Sequence, residues 1–314
     1  MTGVPFISWV GHGATELAAP GVFTDATMTM FGFAADKAAM QATVDRFLNA
    51  AADGAVRYVV LAPVAMASFI DVARCTSGTD IVGWLPGRET AFWMVLLETH
   101  RGDPFKDRLV FWSPYIFISY AIGMATGRES WGWPKTMAKI TVGSDNPSNP
   151  VFACETLYFP TLSADTRGVE GTLFAVAPGP GSGKPSTPWE SAAEALEGLV
   201  GGFLSGVAEI LIDGLRLRPR VPSVALKQFR QAGANDIACY QAICDSPLLI
   251  TGFNGGGPLF DPYSLTITTC ESHQIVQDFL GRPPSPGATT VPVTFAGWVG
   301  MDFQALSGDD VTVR

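Results

Sequence analysis

The sequence predicts an α+β protein built on a large antiparallel β-sheet or β-barrel. Short segments rich in β-branched and aromatic residues, bounded by Gly, Pro or Asp, recur along the chain. Helical patterns are few and irregularly placed, which argues against regular β-α-β repeats. Of the 314 residues, 47% are hydrophobic and 16% are charged. This composition predicts a large packed core and excludes intrinsic disorder.

In the first half of the chain, one helix is predicted over 36–52. Met40, Val44, Phe47 and Leu48 fall on one face at helical spacing, and Asp36 can serve as the N-cap. The segments that follow are short and apolar, as strands are. Strands are predicted over 58–64, 90–97, 109–112, 115–122 and 138–142.

The second half begins with a linker. The run PGPGSGK (178–184) is not a phosphate loop, because Pro185 stands where such a loop has Ser or Thr. A capping box at Thr187 and Glu190 then begins a long predicted helix over 187–212. We predict one domain, 1–314, in which the linker and helix form an insertion at about 178–215. Further predictions are a helix start near 224–231, strands over 238–244, 248–251 and 263–269, and a glycine turn at 254–257.

Charge excludes several classes of partner. The net charge is -9, from 20 Lys+Arg against 29 Asp+Glu, so neither nucleic acid nor an acidic lipid surface is expected to bind. The low charge content favours a homo-oligomer, although a large monomeric core would have a similar composition. The apolar run 109–127 is interrupted by Ser113-Pro114 and suits strands better than a membrane helix. With no signal peptide evident, a cytoplasmic location is expected.

Cysteine and histidine patterns indicate neither disulfides nor a metal. The five cysteines include no C-x-x-C pair, and the three histidines lack the short spacing of zinc sites. The sequence therefore predicts chemistry without a metal or cofactor.

One lysine stands out. Lys135 follows Trp133 and Pro134 in the stretch GRESWGWPK (127–135), just after an apolar segment. Only a neutral amine attacks a carbonyl, and apolar surroundings disfavour the ammonium form. The stretch therefore indicates a nucleophilic lysine. The alternative is a surface lysine whose ammonium extends past the tryptophans into water.

The stretch 127–135 resembles the G-R-E-x-x-G-x-P-K signature of the acetoacetate decarboxylase family. The likeness extends back to LLETH (96–100), where the family carries an active-site glutamate at a similar distance before its lysine. It extends forward to LKQFR (226–230) and ACYQA (238–242), which look like the C-terminal half of longer members. The resemblance covers roughly 34–280 and is weakest over 178–215.

The resemblance implies a cone-shaped antiparallel β-barrel, wrapped by additional strands and helices, with a Schiff-base lysine at its centre. By position that lysine is Lys135, and Glu98 would handle protons or steer the substrate carboxylate. Four more motif residues are candidate substrate contacts: Arg128, Glu129, Trp131 and Trp133. An ion pair that fixes the loop is an equally good interpretation for Arg128 and Glu129.

Two departures from the family pattern bear on the substrate. Thr136 occupies the place of a second lysine that typical decarboxylases have, and no arginine or lysine occurs before Lys37, where those enzymes have an early arginine. Lys139 replaces the missing cation only if a helical turn brings it near Lys135. Imine chemistry therefore depends on desolvation, and recognition of a small keto carboxylate is in doubt.

The predicted function is that of a carbon-carbon lyase that decarboxylates a β-keto acid through a Lys135 imine and enamine. A first alternative is an aldolase, dehydratase or cyclase of a biosynthetic pathway that uses the same lysine without decarboxylation. A second alternative is a barrel that only binds a ligand. The expected partner is in each case a small molecule, a keto acid or another carbonyl compound.

Overall fold

A computed structural model of the chain describes residues 6–7, 11, 16–52, 54, 56–145, 151–179, 188–191, 194, 220–260, 262–283 and 286–313. Apart from 188–191 and 194, the helix predicted over 187–212 lies outside these residues, as does most of the insertion predicted at 178–215. The predicted single-domain organisation therefore stays a prediction.

Strands dominate the described residues. They are β1 (Gly21–Ala34), β2 (Val56–Val60), β3 (Val64–Ser77), β4 (Leu85–His100), β5 (Arg108–Ile118), β6 (Lys135–Met137), β7 (Lys139–Thr141), β8 (Phe152–Tyr158), β9 (Val169–Pro178), β10 (Arg220–Val221), β11 (Val224–Gln231), β12 (Ala234–Asp245), β13 (Leu248–Leu259), β14 (Tyr263–Thr268), β15 (Ala288–Ala305) and β16 (Asp309–Val313). The α-helices are α1 (Lys37–Val44), α2 (Ala50–Ala52), α3 (Ala121–Thr126) and α4 (Ile275–Leu280). Wide helical turns continue α1 over Asp45–Asn49 and α3 over Gly127–Trp131. The predicted α+β class, strand-rich with few helices, is confirmed.

The strands form one large mixed sheet and one small sheet. The large sheet has the order β6-β5-β4-β3-β1-β15-β14-β9-β8-β7, and β2, β10 and β13 pair beside this path. Its described ladders are antiparallel except β5 with β6, which is parallel. The small sheet has the order β11-β12-β16.

The predicted closed barrel is not confirmed. The two ends of the sheet path, β6 and β7, are consecutive in the chain and separated only by Ala138. Ala138 N donates a hydrogen bond to Ile118 O (2.9 Å), but no ladder joins β6 to β7 among the described strands. The described sheet therefore curves back on itself without hydrogen-bonded closure.

The helix predicted over 36–52 is present as α1 and its continuation. The Asp36 carboxylate accepts hydrogen bonds from Ala38 N (2.8 Å) and Ala39 N (3.0 Å), as an N-cap does. Met40, Val44 and Leu48 are buried on the face that packs on the sheet, whereas Phe47, predicted on the same face, is 39% exposed. Burial of this apolar face stabilises the helix more than its intrinsic propensity does.

Two predictions in the C-terminal third are wrong. Residues 224–231 form strand β11, which pairs with β12 from Val224 opposite Asp245 onward, so tertiary pairing overrides the local helical pattern. The glycines at 254–257 form no turn but lie within β13, which pairs with β15 across two register shifts. Gly255 has a φ of 116°, a backbone conformation that suits glycine at a bulge.

The central strands are buried on both faces. On one face, Phe69 of β3 and Phe92 of β4 belong to the main aromatic core. On the other, Ile70 and Val72 of β3 belong to a second apolar cluster. Because both faces are covered, a polar side chain on β3 or β4 must find a partner in the interior. In the part of the chain described here, no helix is long and apolar enough to cross a membrane.

Candidate active site

The motif 127–135 forms a turn that places Lys135 against the sheet. Helix α3 continues through Gly127–Trp131 and ends at Gly132, which has a φ of 75°. A Cβ on Gly132 would lie 2.6 Å from Cα of Lys227, so both the conformation and the close packing require glycine. Beyond this reversal, Lys135 enters β6 opposite Ile116 of β5.

Lys135 is buried. Its side chain is 4% exposed, and its ammonium donates a short hydrogen bond to the carboxylate of Glu89 on β4. Nζ also lies 4.8 Å from the ring centroid of Trp133, a distance at which a cation is attracted to an indole face. The side chain is thus held between a carboxylate and an indole and does not extend into water.

A cavity borders this ion pair. It encloses about 570 Å³ of space free of atoms, part of which is open to solvent. Three of the residues that line it, Lys135, Glu89 and Arg88, are charged. The rest of the wall is mainly apolar and includes Phe23, Ile70, Val72, Trp93, Ile116 and Phe303. A second, smaller cavity beside Lys135 is lined in part by Leu17, Trp131 and Tyr120.

Glu98 is absent from this cavity, so the prediction that it shares the cavity with Lys135 is wrong. It lies on β4 nine residues after Glu89, about 30 Å along an extended strand. An odd separation also directs the two side chains to opposite faces. The family-like distance between a glutamate and Lys135 in the sequence therefore predicted the correct strand, β4, but the wrong glutamate of that strand.

The Glu98 carboxylate is instead part of a buried ionic cluster. It is 1% exposed and accepts hydrogen bonds from Arg108 Nε (2.8 Å) and Nη2 (3.2 Å), and it lies 2.8 Å from His100 Nε2. Arg108 also donates to Asp245 of β12 (2.8 Å), which ties the small sheet to the large one. Burial lowers the pKa of Arg108, but its bonds to Glu98 and Asp245 outweigh this and raise it.

Glu89 is the site residue that the sequence analysis missed. Glu89 directly precedes the apolar stretch TAFWMVLL, and Glu98 directly follows it. A charged side chain is equally unusual at either end of such a stretch. The usable signal was strand alternation, since Glu89 shares its face with Trp93, which also lines the cavity. Pairing with β5 then brings that face to Lys135, a contact between strands that the local sequence does not reveal.

The other predicted contacts divide into two groups. Trp131 and Trp133 are buried, stack with their ring centroids 4.8 Å apart, and each lines one of the cavities beside Lys135. Trp131 donates to Leu306 O (2.8 Å), whereas the buried Trp133 indole N–H has no acceptor among the described residues. Arg128 and Glu129 are exposed and line neither cavity. Arg128 donates to the Lys135 carbonyl (3.3 Å), which supports a loop-fixing position.

Lys139 does not replace the missing second lysine. Its side chain is 75% exposed and pairs with Glu155 at 3.2 Å. Lys135 lies in β6 and Lys139 in β7, two extended strands separated by Ala138, so no helical turn brings the two lysines together. Besides Lys135, the basic residue among the described residues of the cavity lining is Arg88, which the sequence analysis did not select.

Arg88 is already occupied by carboxylates. Nη1 and Nη2 donate to the two oxygens of Asp145 (2.8 and 2.7 Å), and Nε donates to Asp71 (3.2 Å). The bond to Asp145 is the main cause that raises the pKa of Arg88, and Arg88 in turn lowers the pKa of Asp145. All three guanidinium nitrogens therefore have anionic partners.

Two further polar side chains line the cavities. Burial raises the pKa of the Cys75 thiol to about 11, and the Glu89 charge adds to that rise. Burial is also the main reason that the pKa of Tyr120 is raised, with Cys75 and Glu89 contributing. Both groups are protonated at neutral pH. Over the described ranges, no three His, Cys, Asp or Glu side chains are grouped as metal ligands.

The sequence and the fold were compared with known proteins. Residues 11–160 match the family described as acetoacetate decarboxylase. The resemblance to this family that the motif at 127–135 predicts is therefore confirmed over this segment. No curated protein sequence matches this chain.

Solved structures of the family share the fold across the whole chain. The acetoacetate decarboxylase of Legionella pneumophila aligns with a TM-score of 0.60 at 15% identity, over 100% of this chain and 93% of that one. An acetoacetate decarboxylase-like enzyme of Sphingomonas wittichii aligns with a TM-score of 0.55 at 12% identity, over 97% and 98%. The enduracididine biosynthesis enzyme MppR, complexed with the condensation product of pyruvate and imidazole 4-carboxaldehyde, aligns with a TM-score of 0.55 at 15% identity, over 99% of each chain. At these identities the similarity concerns the fold.

Proposed function

We propose that this protein is an imine-forming enzyme in which Lys135 is the nucleophile and Glu89 carries the proton. The observation that supports this most strongly is the pairing of the buried Lys135 ammonium with the partly buried Glu89 carboxylate at the wall of an apolar cavity. A surface lysine needs neither burial nor such a partner. The match of residues 11–160 to the acetoacetate decarboxylase family agrees with the same chemistry.

The pair can carry imine formation without help from solvent. The Lys135 ammonium gives one proton to Glu89, which leaves a neutral amine and a carboxylic acid. The amine nitrogen bonds to the substrate carbonyl carbon, and the nitrogen proton moves to the oxygen to form a carbinolamine. Glu89 then returns its proton to the hydroxyl, water leaves, and a protonated imine remains beside the Glu89 carboxylate.

Two reactions can follow from this imine. If the substrate is a β-keto acid, the electrons of the bond to the carboxylate move into the imine, carbon dioxide leaves, and the enamine is protonated and hydrolysed. If no carbon dioxide is lost, loss of a proton from the neighbouring carbon produces the same kind of enamine, which can attack a second carbonyl. The condensation product bound to MppR supports the second route as chemistry that this fold can accommodate.

Reductive trapping tests the proposal. Wild-type protein is incubated with acetoacetate or with pentan-2-one in the presence of borohydride, and the peptide containing Lys135 is analysed by mass. We expect one reduced adduct at Lys135, none in Lys135→Ala, and wild-type labelling in Lys139→Met, in which an exposed lysine is removed. Absence of an adduct from both compounds would favour a protein that only binds a ligand. Carbon dioxide release from acetoacetate then separates decarboxylation from condensation.

A further inference from the structure

We propose that the substrate of this site is a neutral, apolar ketone or aldehyde without a carboxylate next to its carbonyl group. This inference rests on the proposed imine chemistry of Lys135 and specifies its substrate class. It follows from three observations: the apolar cavity wall, the carboxylates that already bind Arg88, and the buried Trp133 indole N–H, which has no acceptor among the described residues.

The cavity wall favours apolar groups. Phe23 and Phe303 stack at a centroid distance of 4.7 Å, and Ile70, Val72 and Ile116 are almost completely buried around the same space. Each CH₂ group that a substrate buries here strengthens binding, because apolar surface is removed from water. An alkyl or aromatic substituent is therefore stabilised along the wall, whereas a charged one loses its hydration.

Among the described residues of the cavity wall, no cation is available for a substrate carboxylate. Lys135 is paired with Glu89, and it becomes the imine nitrogen when it reacts. Arg88 faces two carboxylates, those of Asp145 and Asp71, and its Nη1 donates additionally to Ile140 O (3.1 Å). Arg88, Asp71 and Asp145 together therefore carry a net negative charge, and Glu89 adds a further anion close to the reacting carbon.

The spare polar group is neutral. The Trp133 indole N–H is buried and unpartnered among the described residues, beside the Lys135 ammonium. A buried donor without an acceptor is destabilising, and a neutral oxygen of the substrate that accepts this hydrogen bond removes the penalty. A carbonyl, hydroxyl or ether oxygen matches it without introducing charge.

The reaction of such a substrate needs only Lys135 and Glu89 from the protein. After water has left, the carbon next to the imine carbon loses a proton to the Glu89 carboxylate, and the bonding electrons form the enamine. No carbon dioxide is produced in this step. The inference therefore places the enzyme among condensing or dehydrating enzymes of the family.

A matched pair of compounds tests the inference. Pentan-2-one and 3-oxohexanoate share a carbon skeleton, and the second carries an added carboxylate. Each is titrated in its own reaction with cyanoborohydride and wild-type protein, and the concentration for half-labelling of Lys135 is measured by mass. We expect at least a tenfold lower concentration for pentan-2-one. A smaller ratio overturns the inference while imine formation stands, and no labelling by either compound overturns the proposed function itself.

A substitution in the cavity wall tests whether the lack of an available cation causes the preference for a neutral substrate. Met28 lines the cavity and is half-buried, so a longer polar side chain can reach solvent there more easily than at Ile70 or Val72. In Met28→Arg the added cation should lower the labelling ratio at least fivefold relative to Met28→Gln, which has no charge. Equal ratios in the two variants would show that the missing cation is not the cause. If Met28→Arg does not fold, the wild-type titration decides alone.

Discussion

Strand β4 carries two glutamates whose surroundings are opposite in kind. Glu98, on one face, has both carboxylate oxygens bound by Arg108, with His100 as a third partner. Glu89, on the other, meets the ammonium of Lys135 at the wall of a cavity and is 20% exposed. A carboxylate that is saturated with partners has little capacity to move a proton, whereas one with a single partner beside open space can do so. Burial of a charge therefore does not identify a reactive group, and the number of its partners is the more informative feature.

The largest effect on stability is expected on the Glu98 side. Arg108→Met leaves the buried Glu98 and the partly buried Asp245 without their shared cation, and the free energy of unfolding should fall by about 3–5 kcal/mol. Urea denaturation measures it, with Lys139→Met, an exposed pair, as the control at about 0–1 kcal/mol. Adding Glu98→Gln to Arg108→Met should recover part of the loss, because one buried anion is removed. A loss below about 1 kcal/mol would contradict the structural assignment of this cluster.

On the Glu89 side, the rate of imine formation should change more than stability does. Glu89→Gln can still accept a hydrogen bond from Lys135 but cannot take its proton, so labelling of Lys135 should slow about 100-fold, equivalent to about 2.7 kcal/mol. The time course of trapping with cyanoborohydride measures the rate. Glu155→Gln, on the exposed partner of Lys139, should leave the rate unchanged. Equal rates in wild type and Glu89→Gln would remove Glu89 from the mechanism.

The smallest predicted effect measures how well water is excluded from Cys75, which lines the cavities beside Lys135. Burial raises the pKa of Cys75 from its usual 9.0 to about 11, so above pH 9 the unfolded chain loses this proton while the folded chain keeps it. Stability from this thiol is complete below pH 9 and is lost between pH 9 and pH 11, by about 1.4 kcal/mol from pH 8 to pH 10. Denaturation of wild type and Cys75→Ala at both pH values measures the difference, since all other titrating groups are shared. Parallel pH profiles would indicate that water reaches Cys75.

The residues around Lys135 show how far sequence reasoning reached. The motif 127–135 contains both glycines that form the turn, both stacked tryptophans and the lysine, and all of these meet within one short segment. Strands such as 90–97 and 238–244 could be predicted because their apolar and β-branched residues are local signals. β1 and β15 were not predicted, although each lies in the middle of the large sheet. Their order depends on pairing between segments at least 260 positions apart in the sequence, from Phe33 with Val293 to Gly21 with Ala305.

The sequence by itself determined the strand-rich class, the resemblance to the family and the lysine that the turn presents, since each depends on neighbours within about ten residues. Tertiary structure alone decided which glutamate meets that lysine. Glu89 and Glu98 are both carboxylates at the ends of one apolar strand, and only the pairing of β4 with β5 and of β5 with β6 brings the Glu89 face to Lys135. The occupation of Arg88 likewise depends on Asp71 from β3 and Asp145 after β7, which the sheet brings together. The chemistry of a charged side chain is set by the partners within hydrogen-bond distance, and most of those partners are distant in sequence.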